Sequence, residues 1–581
     1  MTAFLGVEQS ATGRRWVGLS ADQDRLAQAI AQRCALPGPL ARTLARLGLT
    51  PEAATAYLNP TLRDLMPDPS HLRDMDQAAA RLSQAVERGE RVAIFADYDV
   101  DGGASAALLA GWLGHMSVAS TTYVPDRIDE GYGPNEPAMA ALAKNHDLIV
   151  CVDCGTLSHN AIAAARGVDV VVLDHHLGGE TLPPALAVVN PNRQDEDSPH
   201  RYLCAAGVVF LTLAAANRVL REGGRAVPNL MGCLDLVALA TVADVAPLTG
   251  FNRALVRQGL AVMARRGRPG LAALADAARL GTAPTAYHLG YVLGPRINAG
   301  GRIGKADLGA RLLSTADPGE AATLADRLSE LNDERREIET QVRLAAFEQA
   351  TARGVDGPLV WAAGRDWHPG VVGIVAARLK ETLNRPAVVI GLSGREGKGS
   401  GRSVTGIDLG AAVATCAREG HLVKGGGHKM AAGLTVAEDQ LEAAMDRLGE
   451  LLARQGADAM GPRDLALDGA IQPRGATVEL VEQLEEAGPF GAGAPAPRFA
   501  LPAQQITFTK RAGETHLRLT AQDDSGARID AIAFSAFDGP LGPLLESHRG
   551  ARFHLAGRLE IDDWGGRRRV KLRLEDAARA D

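Results

Sequence analysis

The chain has 581 residues, enough for roughly three or four domains of about 150 residues each. Its formal net charge of -7 at pH 7 excludes a uniformly basic nucleic-acid-binding protein, although it leaves room for a local basic patch. Six cysteines in so long a chain do not suit a disulfide framework, so we expect a reducing cytoplasm. The first ten residues lack the pattern of a signal peptide, and no apolar run approaches the roughly 18 residues of a membrane span.

The N-terminal region is predicted to be helical after an irregular start. We expect residues 1–20 to form a loose tail. From residue 21 to residue 82, short helical patterns are repeatedly interrupted by proline, which indicates a small helical region up to about residue 75. A helix from Asp76 to Arg88 should follow and end at Gly89, since glycine commonly terminates helices.

An acidic segment follows the apolar run from Val92 to Phe95 and reads Asp97-Tyr98-Asp99-Val100-Asp101-Gly102-Gly103. In an extended chain the three carboxylates would share one face and repel each other without a cation. The two glycines permit a tight turn, and the alanine-rich run from Ala104 to Leu113 favours a helix. The segment predicts a strand, an acidic turn at the ligand-binding edge of an α/β sheet, and a helix. Taken alone, it is equally typical of a solvated acidic loop.

Two further apolar runs repeat this arrangement. Residues 148–152 lead into Asp153, and residues 168–173 lead into Asp174-His175-His176. Uninterrupted apolar runs are typical of strands that are buried on both faces, and alanine-rich helical patterns lie between them. This order predicts a parallel sheet with right-handed crossovers. A fourth segment, residues 234–243, has a helical pattern and leads into Asp244.

Cys151 and Cys154 form a CxxC pattern at the end of the second apolar run. Zinc sites and redox motifs use such a pattern, but a zinc site normally needs a second cysteine pair, and none lies nearby. We therefore expect these residues to be buried strand cysteines without a catalytic role.

The polar residues that follow the strands should converge, because the carboxyl ends of parallel strands meet at one edge of a sheet. Each residue alone has an ordinary alternative, since an aspartate after a strand is often a helix N-cap and paired histidines are often structural. Carboxylates with imidazole are a ligand set for Mn2+ or Mg2+ rather than for structural zinc. Their number suits two ions about 3.5 to 4 Å apart. Together they predict a dinuclear metal site.

These segments, in this order, resemble the four motifs of the DHH phosphoesterase superfamily. The resemblance is carried by Asp97 to Gly102, by Asp153 before Cys154-Gly155, by Asp174-His175-His176, by Ala243-Asp244-Val245, and by the segments Glu130 to Asn135 and Arg296 to Arg302. Within the superfamily the chain most resembles bacterial exonucleases that are specific for single-stranded DNA, and the similarity covers nearly the whole chain.

The resemblance implies a role for each of these residues. The implied metal ligands are Asp99, Asp101, Asp153, His175 and Asp244, with Asp97 as a further candidate. His176 is expected to face the substrate phosphate as a catalytic residue, and Asp174 is expected to orient the histidines. The implied substrate-binding residues in the helical region are Arg296, Asn298 and Arg302.

A long helix is predicted after the metal-binding region. Asp317-Pro318-Gly319-Glu320 is typical of a helix start, and the apolar spacing continues to about residue 352. Such a helix would be about 50 Å long. The pattern suits a plain core helix as well as a connection between two domains, and the resemblance favours the connection.

A second α/β unit begins near Pro358, with strands predicted at 359–363 and 387–390 around a helix at 374–383. Gly399 to Ser403 and Lys424 to Gly433 are predicted to be two loops that accept phosphate, although ordinary glycine-rich turns have the same composition. The resemblance implies phosphate contacts from Arg402, Ser403 and His428, with His368 as a further candidate.

The last segment, from about residue 464, has a β pattern. Arg569 to Leu574 alternates basic and apolar residues, which predicts a small barrel with a basic face, or a solvated strand face without a binding role. The resemblance implies an OB-fold that binds single strands. Pro489 to Pro495 resembles a loop that usually carries asparagine where Ala494 stands, so the polar contact of that side chain is missing here.

The predicted fold class is α/β: a parallel-sheet DHH domain joined by a long helix to a second α/β substrate-binding domain, followed by a C-terminal β-barrel with the OB-fold. The predicted domains are a helical region 1–75, the metal-binding domain 76–250, a helical region with the long helix 251–355, the second α/β domain 356–460 and the barrel 461–581.

The predicted function is a metal-dependent exonuclease that degrades single-stranded DNA 5' to 3' to 5'-mononucleotides in DNA repair and recombination. The residues predict a metal-dependent enzyme with two Mn2+ or Mg2+ ions, whereas the polarity and the DNA preference come from the resemblance. So do the expected partners, which are single-stranded DNA, a single-strand-binding protein and a helicase, with no membrane.

Two alternatives stay open. A related phosphoesterase could act on pyrophosphate, cyclic dinucleotides or short oligonucleotides, but the basic C-terminal barrel argues against such small substrates. A non-enzymatic replication scaffold would have lost metal ligands, whereas here every implied ligand position is occupied.

Overall fold

A computed structural model of the chain describes residues 3–126, 130–457, 463–563 and 567–580. The chain forms two compact units, each built from separate stretches of sequence. One unit comprises Met1–Ala54, Glu334–Glu486 and Pro497–Asp581, and the other comprises Thr55–Asp333 and Ala487–Ala496. The division into five consecutive domains stays a prediction, and its boundary at residue 460 lies outside the described residues.

The metal-binding region contains a five-stranded sheet in which every strand pair is parallel. In spatial order its strands are Ser120–Tyr123, Val92–Ala96, Leu148–Val152, Asp169–Leu173 and Ala187–Val189. The three central strands confirm the predicted parallel sheet. The edge strand Ser120–Tyr123 lacks an apolar run because it is mostly exposed, which explains why the sequence pattern does not reveal it.

Alternate strand residues pack into two cores on the two faces of this sheet. Ile94 and Val150 belong to one core with the helices Met75–Arg88 and Ala205–Glu222. Phe95 belongs to the other core. Because both faces are covered, the central strands consist almost entirely of apolar residues, as expected for a parallel sheet.

The same unit contains most of the helices of the chain. They are Leu62–Leu65, Met75–Arg88, Val100–His115, Glu136–Ala143, His159–Ala164, Ala205–Glu222, Leu234–Ala243, Gly250–Met263, Pro269–Ala277, Ala286–His288, the π-helical turn Leu289–Leu293, Gly294–Ile303 and Leu308–Ser314, with Pro51–Leu58 at the boundary between the units. The predicted end of a helix at Gly89 is confirmed, with a φ of +62° at that glycine. Within the described ranges, no helix combines the length and the apolar character that a bilayer crossing requires.

A 36-residue helix, Pro318–Arg353, begins in this unit and ends in the other. The predicted start is confirmed, because Oδ1 of Asp317 accepts the backbone N–H of Glu320 at 2.6 Å. Leu324 and Leu328 pack into the core of the metal-binding region. Near the other end, Val342 packs into a core of the unit that contains residues 334–486, so one helix contributes to two cores.

The second α/β region has a mixed five-stranded sheet. In spatial order its strands are Lys424–His428, Ala431–Ala437, Glu396–Arg402, Ala387–Ser393 and Val360–Arg365, and its helices are Pro369–Leu383, Leu409–Arg418 and Leu441–Ala453. The prediction of two glycine-rich loops is wrong, because both segments lie largely in antiparallel strands. Glycine is needed there for packing: a Cβ at Gly399 would lie 2.8 Å from Cδ1 of Leu434, and one at Gly425 would lie 2.6 Å from Cγ1 of Val413.

The C-terminal region is a closed barrel, as predicted. Its strands are Phe499–Ala512, His516–Gln522, Arg528–Ala533, Arg552–Asp562 and Arg569–Arg579, with the short strand Gly469–Ala470 and the helices Val478–Glu485 and Leu541–Glu546 beside them. The first strand pairs with both the second and the fourth, which closes the barrel. Leu572 and Leu574 are buried while Arg569 is exposed, so the predicted alternation is confirmed.

The N-terminal segment is part of this unit, and the prediction of a loose tail is wrong. The strand Trp16–Val17 pairs in parallel with Leu465–Ala466. The Trp16 side chain is fully buried, and its Nε1 donates to Asp576 at 3.0 Å. The helices Ala21–Cys34 and Gly38–Arg46 follow this strand, which confirms that the region after residue 20 is helical.

Candidate metal centre

The acidic turn differs from the predicted extended segment. The helix already begins at Val100, so the three carboxylates do not share one face of a strand. Asp99 caps this helix, and its Oδ1 accepts the backbone N–H groups of Asp101 at 2.9 Å and Gly102 at 3.1 Å. A Cβ at Gly102 would lie 2.4 Å from the carbonyl oxygen of Asp97, so the tight turn requires glycine there. The turn brings the acidic residues around one point instead of along one face.

Asp101 is buried and firmly held. Its two carboxylate oxygens accept the backbone N–H groups of Ala205 at 2.7 Å and Ala206 at 2.8 Å, at the start of the helix Ala205–Glu222. The N-terminus of a helix favours negative charge. Burial nevertheless raises the pKa of Asp101, and the nearby Asp99 raises it further. A cation would relieve this unfavourable charge.

Asp153 follows the central strand with a φ of +59°, a strained conformation for a residue with a side chain. Its Oδ1 is buried and has no hydrogen-bond partner among the described residues. Burial and the neighbouring Asp101 and Asp99 raise its pKa well above the ordinary value. A buried carboxylate oxygen without a partner is costly, and a bound metal ion would satisfy it.

The two histidines lie in different surroundings. Nε2 of His175 is 3.2 Å from Oδ1 of Asp153 and 3.7 Å from Oδ2 of Asp101, so this ring lies among carboxylates. Nδ1 of His176 is 2.8 Å from Oδ1 of Asp174, and its Nε2 is 3.1 Å from the hydroxyl oxygen of Tyr132. Burial alone would lower the pKa of His176, but the hydrogen bond with Asp174 raises it to about 9.

Two asparagines that the sequence patterns do not reveal hold this histidine pair. Nδ2 of the fully buried Asn190 donates to the carbonyl oxygen of His176 at 2.8 Å. Nδ2 of Asn192 donates to the carbonyl oxygen of His175 at 2.6 Å. The two asparagines flank Pro191 directly after the strand Ala187–Val189. A search for polar residues after every short strand would have found them.

Asp244 comes from a helix rather than from the sheet. It ends the helix Leu234–Ala243 and is half-buried, with Oδ2 at 3.7 Å from Nδ1 of His175. Burial raises the pKa of Asp244 to about 8, and the charges of Asp101 and Asp99 contribute to this shift. Val245 follows with a φ of +59°, which is rare for a β-branched residue.

The structure brings all six predicted metal ligands together, with His176 beside them. Their ligand atoms fall into three overlapping groups, within each of which the atoms lie within 4.8 Å of one another. The groups are Asp97, Asp99 and Asp153; Asp101, His175 and Asp244; and Asp153, His175 and His176. Because Asp153 and His175 each belong to two groups, the arrangement offers more than one adjacent metal position.

Comparisons with known proteins cover most of the chain. Residues 91–241 match the model of the DHH family, N-terminal domain, residues 356–454 match the DHHA1 domain, and residues 467–576 match the RecJ OB domain. The single-stranded-DNA-specific exonuclease RecJ of Dickeya dadantii is 38% identical over 568 residues, which are 93% of this chain and 96% of that protein. The chain belongs to the RecJ family.

Solved structures agree with this assignment. A crystal structure of RecJ from Thermus thermophilus in complex with Mn2+ matches with a TM-score of 0.80 and 29% identity, covering 97% of this chain and 79% of that one. Another, in complex with Mg2+, matches with a TM-score of 0.75 and 28% identity, covering 97% and 78%. The resemblance drawn from the motifs is thereby confirmed.

In this RecJ-family chain, the predicted substrate residues Arg296, Asn298 and Arg302 lie on the helix Gly294–Ile303. Oδ1 of Asn298 accepts the backbone N–H of Val100 at 3.0 Å, so this asparagine lies beside the acidic turn. Arg296 is half-buried, and its guanidinium donates to the carbonyl oxygen of Val292 at 2.7 Å. Arg302 is half-buried on the same helix, six residues after Arg296.

The other predicted substrate residues lie in the second α/β region, which belongs to the other unit. His428 is exposed at the end of its strand, and Arg402 is half-buried with its guanidinium donating to the hydroxyl of Ser400 at 2.9 Å. Ser403 is fully buried, and its hydroxyl donates to the carbonyl oxygen of Ile407 at 2.8 Å. Its side chain is therefore closed off from solvent, and its contact with phosphate stays a prediction. Nδ1 of His368 accepts the backbone N–H of Gly370 at 3.0 Å, which is a helix-capping role.

The CxxC pair has no part in the RecJ-type metal centre. Cys151 and Cys154 are free thiols, both are buried, and burial raises the pKa of each thiol. A thiol of raised pKa is a poor metal ligand and a poor nucleophile at neutral pH. The interpretation of these residues as buried strand cysteines is confirmed.

Proposed function

We propose that this chain is a metal-dependent exonuclease that degrades single-stranded DNA in the 5' to 3' direction and releases 5'-mononucleotides during DNA repair and recombination. The observation that carries the proposal is the cluster of Asp101, Asp153, His175 and Asp244, in which the buried Oδ1 of Asp153 accepts no hydrogen bond from the described residues. The relative from Dickeya dadantii is named a single-stranded-DNA-specific exonuclease, which supports the substrate and the reaction class.

The residues suit two divalent metal ions, Mn2+ or Mg2+. Carboxylates with imidazole are the ligands that these ions accept, and the raised pKa values of Asp101, Asp153 and Asp244 reflect burial and mutual repulsion that such ions would relieve. We assign the six residues Asp97, Asp99, Asp101, Asp153, His175 and Asp244 as ligands. When bound, the ions supply an activated water and stabilise charge on the phosphate oxygens.

The protein's own groups orient the site. Two backbone N–H groups fix the carboxylate of Asp101, and the amides of Asn190 and Asn192 fix the carbonyl groups of both histidines. Asp174 accepts the backbone N–H of His175 at 2.7 Å as well as the ring of His176. The hydrogen bond with Asp174 favours the protonated form of the His176 ring, whose Nε2–H can donate to an oxygen of the scissile phosphate.

We assign the C-terminal barrel to binding of single strands. OB-folds bind single-stranded nucleic acids with aromatic and basic side chains. Phe508 and Phe534 are exposed on this barrel, and the guanidinium of Arg573 lies 5.1 Å from the ring centroid of Phe534. The basic face is partly neutralised, because Arg573 also contacts Glu560 at 3.4 Å. Stacking should therefore contribute to binding beside charge.

The finer assignments belong to the same proposal. We place the protein in the cytoplasm, which is supported by its six free cysteines. A helicase would supply unwound strands, and a single-strand-binding protein would cover them, so both are proposed partners. The domains 1–75, 76–250, 251–355, 356–460 and 461–581 remain our proposed functional division.

Digestion of end-labelled DNA tests the proposal. In Mn2+ or Mg2+, a 5'-labelled single strand should release its label as mononucleotide at once, whereas a 3'-labelled strand should shorten progressively. A matched duplex should resist, and EDTA should stop the reaction. Cleavage rates that peak on dinucleotides and vanish on long strands would instead favour a phosphoesterase for small substrates.

A further inference from the structure

Two tyrosines outside the metal cluster form an exposed stacked pair. Tyr287 and Tyr291 are 51% and 70% exposed, and they are four residues apart on one helical segment. Their ring centroids are 5.2 Å apart and their planes are inclined by 25°. Aromatic rings are large apolar surfaces, so a stacked pair that remains exposed to water is a candidate for ligand contact.

The helix that carries the pair departs from regular geometry at this point. Leu289–Leu293 forms a π-helical turn between Ala286–His288 and Gly294–Ile303. Pro295 lies two residues after this turn, and because it has no backbone N–H it cannot make the usual bond to the carbonyl group of Tyr291. Single π-helical turns occur frequently at functional sites.

The π-helical turn packs against the end of the helix Leu234–Ala243, which the predicted metal ligand Asp244 follows. A Cβ at Gly290 would lie 3.3 Å from Cγ1 of Val242, and one at Gly294 would lie 3.4 Å from Cβ of Ala243, the residue before Asp244. A Cβ at Gly294 would also lie 3.8 Å from Cγ2 of Val100, in the acidic turn. The exposed tyrosines therefore lie on an element that contacts two of the segments that supply metal ligands.

A cationic group accompanies the pair. The guanidinium of Arg296 donates to the carbonyl oxygen of Val292, the residue after Tyr291, at 2.7 Å. Aromatic rings for base stacking next to basic groups for phosphate contact are the combination by which proteins bind single strands without sequence preference. A duplex offers no such contact, because its bases are already stacked and paired.

We propose that Tyr291, supported by Tyr287, is a stacking site for one unpaired nucleobase of the strand whose phosphate enters the metal centre. The proposal rests on the proposed function and assigns a base-binding subsite to it. Every nucleobase presents a π-face, so the site should accept all four bases, and it should favour single strands over duplexes.

The test combines Tyr291→Ala and Tyr291→Phe with strands that lack one base. Binding of labelled single strands is measured in EDTA, so that cleavage does not interfere. Tyr291→Ala should bind about tenfold more weakly, in line with the usual strength of base stacking on an aromatic ring, while Tyr291→Phe should bind like the wild type. Removing one base at successive positions should weaken wild-type binding by a similar factor at one position.

The decisive result is the combination of both changes. The variant Tyr291→Ala should bind the intact strand and the strand that lacks the base contacting Tyr291 with the same affinity. Additive losses at every abasic position, or unchanged binding by Tyr291→Ala, would overturn the proposal and would leave a protein partner as the reason for the exposed rings. The abasic scan with wild-type protein stays informative even if Tyr291→Ala folds poorly. Failure of the subsite leaves cleavage by the wild type intact, whereas failure of the proposed function would show as absence of that cleavage.

Discussion

The parallel sheet of the metal-binding region and the mixed sheet of residues 360–437 both carry predicted site residues, but they place them differently. In the parallel sheet, Asp97, Asp153 and Asp174 follow strands whose carboxyl ends meet at one edge. In the mixed sheet, Arg402 and His428 end antiparallel strands, and the glycines around them make room for neighbouring side chains.

This difference separates a strong sequence signal from a weak one. An aspartate after one buried apolar run can be a helix N-cap, but several polar residues that follow neighbouring parallel strands meet at one sheet edge and together predict a site. A glycine-rich segment has two explanations, since glycine serves close backbone packing as well as phosphate binding. The metal residues converge as predicted, whereas the predicted phosphate loops are strands.

The largest expected effect concerns the buried oxygen of Asp153. Asp153→Ala should lower the cleavage rate by about 1000-fold or more, because metal stabilisation of charge is worth several kcal/mol. Binding of single strands should change little, since phosphate contacts remain. Single-turnover rates and Kd values measure both effects. Asp276→Ala, which removes an exposed carboxylate paired with Arg266, is the matched control. Retention of more than about a tenth of the wild-type rate would remove Asp153 from the metal centre.

The next expected effect is a loss of Mn2+ affinity on substitution of Asn190, which donates to the carbonyl oxygen of His176 and is not itself a predicted metal ligand. Asn190→Ala should weaken Mn2+ binding by about 10- to 100-fold, a loss typical of residues that orient ligands, and excess Mn2+ should restore much of the rate. Asn217→Ala removes another buried asparagine, which accepts from Trp112 at 2.8 Å. This control should lower stability but leave Mn2+ affinity unchanged. Equal losses of Mn2+ affinity in both variants would mean that Asn190 only supports the fold.

A smaller effect should separate two neighbours in the mixed sheet. Arg402→Ala should weaken binding of single strands several-fold and reduce the slope of log K against log salt by about 1, as expected for one lost phosphate contact. Ser403→Ala should leave that slope unchanged, because the serine hydroxyl is buried and donates to Ile407. A reduced slope for Ser403→Ala would restore the phosphate-loop interpretation of this segment.

The smallest expected effect is on the pH dependence of the stability of the metal-free protein. Burial and the neighbouring Asp101 and Asp99 raise the pKa of Asp244 to about 8. A carboxyl group with a higher pKa in the folded than in the unfolded protein stabilises the fold while it is protonated. This contribution is complete below about pH 4, the pKa in the unfolded chain, and is lost as the pH rises to the pKa in the folded protein. The midpoint of thermal unfolding in EDTA should therefore fall towards pH 8, and the stabilisation by added Mn2+ should grow, since ligands must be deprotonated to bind.

An unfolding midpoint in EDTA that does not change with pH would mean that Asp244 is solvated and that its pKa is not raised. The variant Asp244→Asn offers the matched control, because it keeps the shape of the side chain and removes the titrating group. Its unfolding midpoint should depend less on pH than that of the wild type.

Local sequence patterns were sufficient to predict the parallel sheet and the polar residues at its edge, because each apolar run and the polar residue after it are adjacent in sequence. It was insufficient wherever a contact joins distant residues. Trp16 donates to Asp576, 560 residues later, and no local pattern in the first 20 residues announces this. Asn190 follows a short strand and was missed for a different reason: asparagine is not among the expected metal ligands, and its hydrogen bond to the carbonyl oxygen of His176 is visible only in the folded chain.

The shape of the acidic turn could not be predicted from spacing either. Alternating carboxylates indicate one face only while the chain stays extended, and here the helix begins between Asp99 and Asp101. The structure therefore brings the predicted metal ligands together, but by a geometry that differs from the predicted one.

Titration of the metal-free protein with Mn2+ tests the central claim most directly, namely that residues from the ends of parallel strands and from one helix end form a dinuclear metal centre. The number of bound ions is measured by calorimetry for the wild type and for Asp153→Ala. We expect two ions per chain for the wild type and weakened or incomplete binding for the variant. Binding of Mn2+ by Asp153→Ala with unchanged number and affinity would contradict the account.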